Sequence, residues 1–179
     1  MGNFENLLKS AKNYLNSGKF SEAIGIYQRA FKEANAEEKA RIKRDLAFCF
    51  LRSGDLGLAL KEAREAGESF SRLGDDIELA RAHLLLTRIL LEMGESEEAR
   101  DLSMKVYESY KPTADHKILG LSQKFLGRAF VQIGDYGQAE DFLQESLSIF
   151  RLTNDEGELL NSYNDLAFWG SATGFSSVR

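Results

Sequence analysis

Five glycines recur along this chain of 179 residues at almost equal intervals. They are Gly18, Gly54, Gly94, Gly134 and Gly174, and they are separated by 36, 40, 40 and 40 residues. A fixed period of this size is typical of a stack of similar supersecondary units, because each unit buries its apolar face against its neighbours. The glycines therefore predict a repeat architecture, and such stacks generally work as extended binding surfaces.

Each repeat has the pattern of two helices joined by the glycine turn. Small and apolar residues recur eight, seven and four positions before the glycine, as in Leu126, Gly127 and Phe130, and this spacing places them on one helix face. Nineteen positions before each of the last four glycines stands a favoured N-cap residue: Asn35, Asp75, Asp115 and Asp155. Five positions after each of the first four glycines stands an alanine, which indicates close helix packing: Ala23, Ala59, Ala99 and Ala139.

The same pattern predicts an all-α fold, since no stretch alternates apolar and polar residues as a strand does. We expect a right-handed α-solenoid of antiparallel helix pairs, with about nine helices at 3–17, 20–34, 36–53, 56–73, 76–93, 96–111, 115–133, 136–152 and 155–170. These helices form one superhelical domain over 1–170, in repeats at about 3–35, 36–74, 75–114 and 115–154 and a partial repeat at 155–179. Residues 171–179 are expected to be a frayed or truncated tail.

The repeat resembles the tetratricopeptide repeat (TPR), in its subclass with longer helices and a 40-residue spacing. The resemblance lies in four segments that combine the glycine turn with a following alanine and bulky residues: GKFSEAIGIYQRA, GDLGLALKEAREA, GESEEARDLSMKV and GDYGQAEDFLQES. It covers essentially the whole chain and implies a protein-interaction scaffold. It implies little about the partner, because the residues that define the family are packing residues.

The last repeat lacks its second helix, because only FSSVR follows Gly174. Helix 155–170 would then expose Phe168 and Trp169, whereas terminal repeats of a solenoid normally carry a polar cap. Two interpretations are open. The chain is a fragment of a longer array, which we favour, or this end pairs with a second copy in a homo-oligomer.

The composition does not favour catalysis. The two histidines, His83 and His116, have no Cys or carboxylate at the spacing of metal ligands, and the glycines are too far apart to form a phosphate-binding loop. The single cysteine, Cys49, lies in the apolar run LAFCFL and is expected to be a buried, inert thiol in a reducing compartment. We expect no catalytic residue, no metal and no cofactor.

The net charge of −5 argues against nucleic acid as a partner. No apolar run is long enough to span a membrane, and the first ten residues do not form a signal peptide. We therefore expect a cytoplasmic protein.

The resemblance implies that the first helix of each repeat lines a concave groove. The twenty residues expected on that face carry a net charge of +6, in a chain whose total is −5. The predicted ligand-binding residues of the groove are Lys12, Arg41, Arg44, Phe48, Arg52, Arg81, Leu84, Arg88, Lys124 and Arg128. Arginine binds carboxylates through two parallel hydrogen bonds, and apolar neighbours hold side chains between them. This pattern predicts a protein or peptide partner that is acidic and carries apolar side chains.

A second interpretation of the same residues is that the arginines pair with carboxylates of adjacent helices, such as Glu78 or Asp45. For the whole chain, the leading hypothesis is a non-enzymatic interaction module within a larger regulatory, signalling or scaffold protein. The alternative is a structural module that assembles with other copies through its C-terminal face.

Overall fold

The computed structural model describes residues 3–113 and 115–173, and side chains as far as residue 167. Within that part of the chain the backbone forms nine α-helices and no strand. They are α1 (Asn3–Asn16), α2 (Phe20–Phe31), α3 (Ala36–Ser53), α4 (Leu56–Leu73), α5 (Asp76–Met93), α6 (Ser96–Tyr110), α7 (His116–Ile133), α8 (Tyr136–Leu152) and α9 (Glu156–Thr173). The predicted spans of α3, α4, α5 and α8 are confirmed to the residue, and the others differ by one to three residues at an end.

Helix α2 ends three residues earlier than predicted because the next helix needs an extended N-cap. Asn35 has φ −74° and ψ −178°, and its side chain accepts a hydrogen bond of 2.9 Å from the Glu38 backbone N–H. In return, the Glu38 carboxylate accepts one of 2.8 Å from the Asn35 N–H, which completes a capping box. The other three predicted caps are confirmed by hydrogen bonds of 3.0 to 3.2 Å to backbone N–H groups: Asp75, Asp115 and Asp155.

Four of the five recurring glycines adopt a left-handed backbone conformation at the turns between helices. Gly18, Gly54, Gly94 and Gly134 have φ between +71° and +94°, in the left-handed region that favours glycine. A left-handed residue at the end of a helix reverses the chain within two or three residues. The following helix therefore runs back antiparallel to the one before it. Gly174 lies outside the described residues.

Small side chains set how closely paired helices approach. Ala23, Ala59, Ala99 and Ala139 are fully buried, which confirms the close packing expected at this position of each repeat. Gly127 on α7 is packed even more tightly, since a Cβ added there would lie 2.5 Å from Cγ of Leu143 on α8. The helix pairs are therefore held by close contacts of small residues as well as by bulky apolar ones.

The chain divides into two compact units, Met1–Ile89 and Leu90–Arg179, called here the N-terminal and C-terminal units. The core of the N-terminal unit contains the fully buried Tyr27 and Phe70, and that of the C-terminal unit contains Leu143 and Phe150. The single superhelical domain predicted for 1–170 stays a prediction. The predictions for Phe168, Trp169 and the tail concern side chains and residues outside the described part.

Candidate functional site

The predicted groove residues of the N-terminal unit lie on α1, α3 and the first part of α5. Arg41 on α3 is about half exposed and pairs with Glu37, one turn earlier on the same helix, at 2.7 Å between Nη2 and Oε1. Exposed pairs of this kind contribute little to stability and leave the cation accessible to a ligand. Arg88 on α5 is half-buried and already has a polar, ring or electrostatic contact.

Arg44 and Arg81 belong to a network of ion pairs that joins α2, α3 and α5. Arg44 pairs with Glu78 and, at 3.1 Å, with Asp45, while Arg81 Nη1 lies 2.7 Å from Glu78 Oε1. Tyr27 of α2 donates a hydrogen bond of 3.0 Å to the second oxygen of Asp45. Burial and the neighbouring Asp45 carboxylate raise the pKa of the Tyr27 hydroxyl, so it stays protonated and keeps donating.

This network gives Arg44 and Arg81 a carboxylate partner within the fold, although the Arg81 side chain is still 54% exposed. Glu78 is 9% exposed, and both arginines are used to neutralise it. An unpaired buried carboxylate is costly, so the pairing is needed by the fold. For these residues the structure shows the second interpretation of the sequence, in which Glu78 and Asp45 are the partners.

The predicted apolar residues of the groove also differ in role. Leu84 is 4% exposed, so it is a core residue and not a ligand contact. Sequence pattern placed it on the accessible face because it alternates with arginines along α5.

Phe48 and Arg52 of α3 remain accessible and form a cluster with Phe20 of α2. The Phe20 and Phe48 rings meet edge to face, with centroids 6.4 Å apart and an interplanar angle of 75°. The guanidinium carbon of Arg52 lies 5.5 Å from the centroid of Phe20. We call these three residues the cationic–aromatic cluster. Phe20 was missed by sequence reasoning, although its aromatic character two positions after Gly18 was the available signal.

Two of the predicted groove cations of the N-terminal unit have no carboxylate partner within residues 3–113 and 115–173. They are Arg52 of the cluster and Lys12 of α1, and both are exposed. A cation over an aromatic face keeps its charge available to a second partner, because the ring does not neutralise it. Lys12 and Arg52 therefore differ from Arg44 and Arg81, which both pair with Glu78.

The predicted cations of the C-terminal unit lie one turn apart on α7. Lys124 is 6% exposed, and its Nζ lies 2.5 Å from Glu158 Oε2 and 5.5 Å from the centroid of Phe125. Arg128 is about four-fifths buried, and its Nη2 lies 3.5 Å from Glu92 Oε1. The two cations therefore differ: Lys124 is fully paired, and Arg128 is weakly paired.

Two features of the described residues bear on whether they hold a metal site or a reactive cysteine. No three His, Cys, Asp or Glu side chains there are grouped in a way that would hold a metal ion. Cys49 is fully buried, as predicted, and burial together with Asp45 raises the pKa of its thiol to about 11. None of the described helices combines the length and apolar character needed to cross a membrane.

Comparison with known proteins gives a partial family match and the fold. The tetratricopeptide repeat family model matches residues 8–71. No curated protein sequence matches the chain.

Three solved structures share the fold. A Rap protein complexed with Competence and Sporulation Factor is 14% identical, with a TM-score of 0.76 over 94% of this chain and 54% of that one. The apo form of RapI is 16% identical, with a TM-score of 0.74 over 96% of this chain and 49% of that one. BtubC from P. vanneervenii is 21% identical, with a TM-score of 0.75 over 84% of this chain and 64% of that one.

The chain thus spans about half to two thirds of the length of these proteins. At these identities the likeness concerns the fold, and it confirms the predicted all-α, TPR-like fold of antiparallel helix pairs. The tetratricopeptide repeat match covers residues 8–71, and the TPR-like fold extends along nearly all of the chain's length.

Proposed function

We propose that this chain is a non-enzymatic interaction module. Its ligand is a peptide segment of a protein partner that carries both acidic and apolar side chains. The observation that carries the proposal is the cationic–aromatic cluster, in which Arg52 lies over Phe20 beside Phe48 and has no carboxylate partner in the described part of the chain. Lys12 of α1 supplies a second exposed cation in the same unit.

The chemistry of the cluster fits such a ligand. An exposed guanidinium binds a carboxylate through two parallel hydrogen bonds, while the partly exposed rings of Phe20 and Phe48 offer apolar surface to a neighbouring side chain. Alternating acidic and apolar side chains of an extended or helical peptide would meet both surfaces. Arg44 and Arg81 do not take part in this proposal, because Glu78 and Asp45 already neutralise them.

Solved structures that share the fold support the proposal of a peptide ligand. One of the similar structures is a Rap protein complexed with Competence and Sporulation Factor. TPR folds generally serve as interaction scaffolds, so we infer that this chain acts within a larger regulatory, signalling or scaffold protein in the cytoplasm.

Selection from a displayed library of random twelve-residue peptides tests the proposal. Peptides that bind the wild-type chain are expected to be enriched in Asp, Glu and apolar residues. For the best of them, the double substitution Lys12→Glu and Arg52→Glu is expected to weaken binding at least tenfold, because it removes charge-assisted contacts and adds repulsion. Raising the salt concentration should also weaken binding, since exposed charges are screened.

A matched control changes the same charges elsewhere. Lys32→Glu and Arg72→Glu alter two exposed cations at the far end of α2 and on α4, and this pair should leave binding within about twofold. Circular dichroism checks that both double variants keep their helix content. The proposal is wrong if the selected peptides are not acidic, or if both double variants bind equally well.

A further inference from the structure

One edge of the Arg128 guanidinium on α7 carries two N–H donors, and only one of them has an acceptor in the described part of the chain. Its Nη2 lies 3.5 Å from Glu92 Oε1, at the outer limit of a hydrogen bond, and its Nε is buried without a hydrogen-bond partner in the described part of the chain. Nε–H and Nη2–H point in parallel from the same edge of the guanidinium, and together they match the two oxygens of a carboxylate. Glu92 therefore contacts one donor of the pair weakly and leaves the other unsatisfied.

The position of Glu92 is set by its neighbours along the chain. Gln132, one turn after Arg128 on α7, donates a hydrogen bond of 3.1 Å to the Leu91 backbone carbonyl. The Ser96 hydroxyl donates one of 2.6 Å to the side-chain oxygen of Gln132. These bonds fix the end of α5 against α7, so Glu92 is carried to the edge of Arg128 by the backbone. Its side chain remains 45% exposed.

Two other groups of ion pairs among the described residues are more deeply buried. Lys124 lies one turn before Arg128, is almost fully buried and contacts Glu158 at 2.5 Å. Glu78 is nearly buried and binds two arginines. Separating these pairs would leave a buried charge unpaired, which is strongly destabilising. The Glu92 side chain is 45% exposed and can turn into solvent, and a ligand carboxylate that takes its place keeps the largely buried Arg128 charge paired.

We propose that Arg128 is a carboxylate-binding residue for acidic peptide ligands, and that Glu92 is an internal competitor which the ligand's carboxylate displaces. A carboxylate in place of Glu92 would engage both Nε–H and Nη2–H. The inference rests on the proposed function, since it extends the same chemical class of ligand, an acidic peptide, to the C-terminal unit. It also assigns Glu92 a role in limiting the affinity of the empty protein.

Nuclear magnetic resonance on the full chain reads out this contact directly. The Nε–H signal of Arg128 is identified by its absence in Arg128→Gln, whose remaining spectrum also shows that the variant is folded. The probe is an amidated twelve-residue peptide in which Glu alternates with Leu and Ser. Adding it should move the Arg128 Nε–H signal downfield, because a new acceptor binds that proton.

Binding measured by fluorescence anisotropy gives the expected magnitudes. Arg128→Gln should weaken binding of the probe by about tenfold to a hundredfold, because hydrogen bonds to charged groups are lost. Glu92→Gln should tighten binding by about two- to fivefold, because the weak ion pair between Glu92 and Arg128 no longer competes with the probe. The control Glu95→Gln makes the same change of charge three residues away, at an exposed side chain that makes no capping hydrogen bond, and should change nothing.

A second probe separates two sources of the carboxylate. It replaces every Glu by Gln and ends in a free C-terminal carboxylate. If only this probe moves the Arg128 signal, the residue binds a chain terminus; if only the first does, it binds acidic side chains.

Two results would overturn the inference. One is an Arg128 Nε–H signal that stays in place at saturating concentrations of both probes, and the other is Glu92→Gln binding no tighter than Glu95→Gln. If Lys12→Glu with Arg52→Glu still abolishes binding in that case, the proposed function stands without this contact. If neither probe binds the wild-type chain, and selection yields no acidic peptides, the proposed function fails and the inference fails with it.

Discussion

Gly127 is the position at which the packing of α7 against α8 is most sensitive to a single added atom. A Cβ at this residue would lie 2.5 Å from Leu143 Cγ and 3.1 Å from the backbone oxygen of Ala139, whereas ordinary contact begins at 3.4 Å. Leu143 is fully buried, and its Cγ is close to the backbone, so it cannot rotate away. The substitution Gly127→Ala therefore forces α7 and α8 apart by several tenths of an ångström.

Two effects of opposite sign decide how Gly127→Ala changes the free energy of unfolding. Alanine stabilises a helix relative to glycine by about 1 kcal/mol, and overpacking of a filled core costs about 1–3 kcal/mol. Because one of the clashes is with a backbone atom, we expect the cost to fall in the upper part of that range. The free energy of unfolding should fall by about 1–2 kcal/mol, which lowers the melting temperature by about 2–8 °C in a chain of this size.

Gly25→Ala on α2 is the matched control for this prediction. Gly25 lies within a helix, and a Cβ there has no atom within 4 Å, so only the gain in helix propensity applies. Its melting temperature should rise by about 2–4 °C. Thermal and urea unfolding followed by circular dichroism measures both variants. If Gly127→Ala is as stable as the wild type or more so, the close approach of α7 and α8 does not limit what position 127 accepts.

Two further predictions concern titratable groups. The Cys49 thiol, whose pKa burial raises to about 11, should not react with a disulfide reagent at about pH 8 until urea unfolds the chain, and rapid reaction of the folded protein would contradict its burial. Hydrogen bonding to the Glu158 backbone N–H, aided by Lys117, lowers the pKa of Asp155, so its carboxylate stabilises the fold above its ordinary pKa of about 3.9 and that contribution is lost as the pH falls through the lowered value. Asp155→Asn keeps the capping acceptor without titrating and should lose less stability between about pH 5 and pH 2, and parallel losses in the two proteins would refute this assignment.

The local structure could be predicted from the sequence because its causes are local. Asn35 and Asp75 start helices through hydrogen bonds within one turn, and Gly54 ends one through its own backbone conformation. The fully buried Ala23 is likewise marked by its recurrence at one position in each repeat. The end of α2 was predicted wrongly because its residues suit a helix, while the extended cap at Asn35 requires a turn before it.

The candidate site could be predicted only in part. The sequence showed an excess of basic residues on the first helices of the repeats, and Arg52 remained an accessible cation. The sequence named Glu78 as a possible partner, and Arg81 lies only three positions from it on α5, but the contact of Arg44 with Glu78 joins residues 34 positions apart on two helices and depends on tertiary packing. Phe20 is a similar case, since its place beneath Arg52 depends on how α2 packs against α3.

The sequence by itself determined the helices, their caps and their turns, since each depends on residues within a few positions of one another. The tertiary structure decided which charges are available, because the value of a charge depends on burial and on the partner within about 4 Å. Lys124 and Arg128 illustrate the difference. Both are cations one turn apart on α7, yet Lys124 is fully paired with Glu158 and Arg128 keeps an unsatisfied donor beside Glu92.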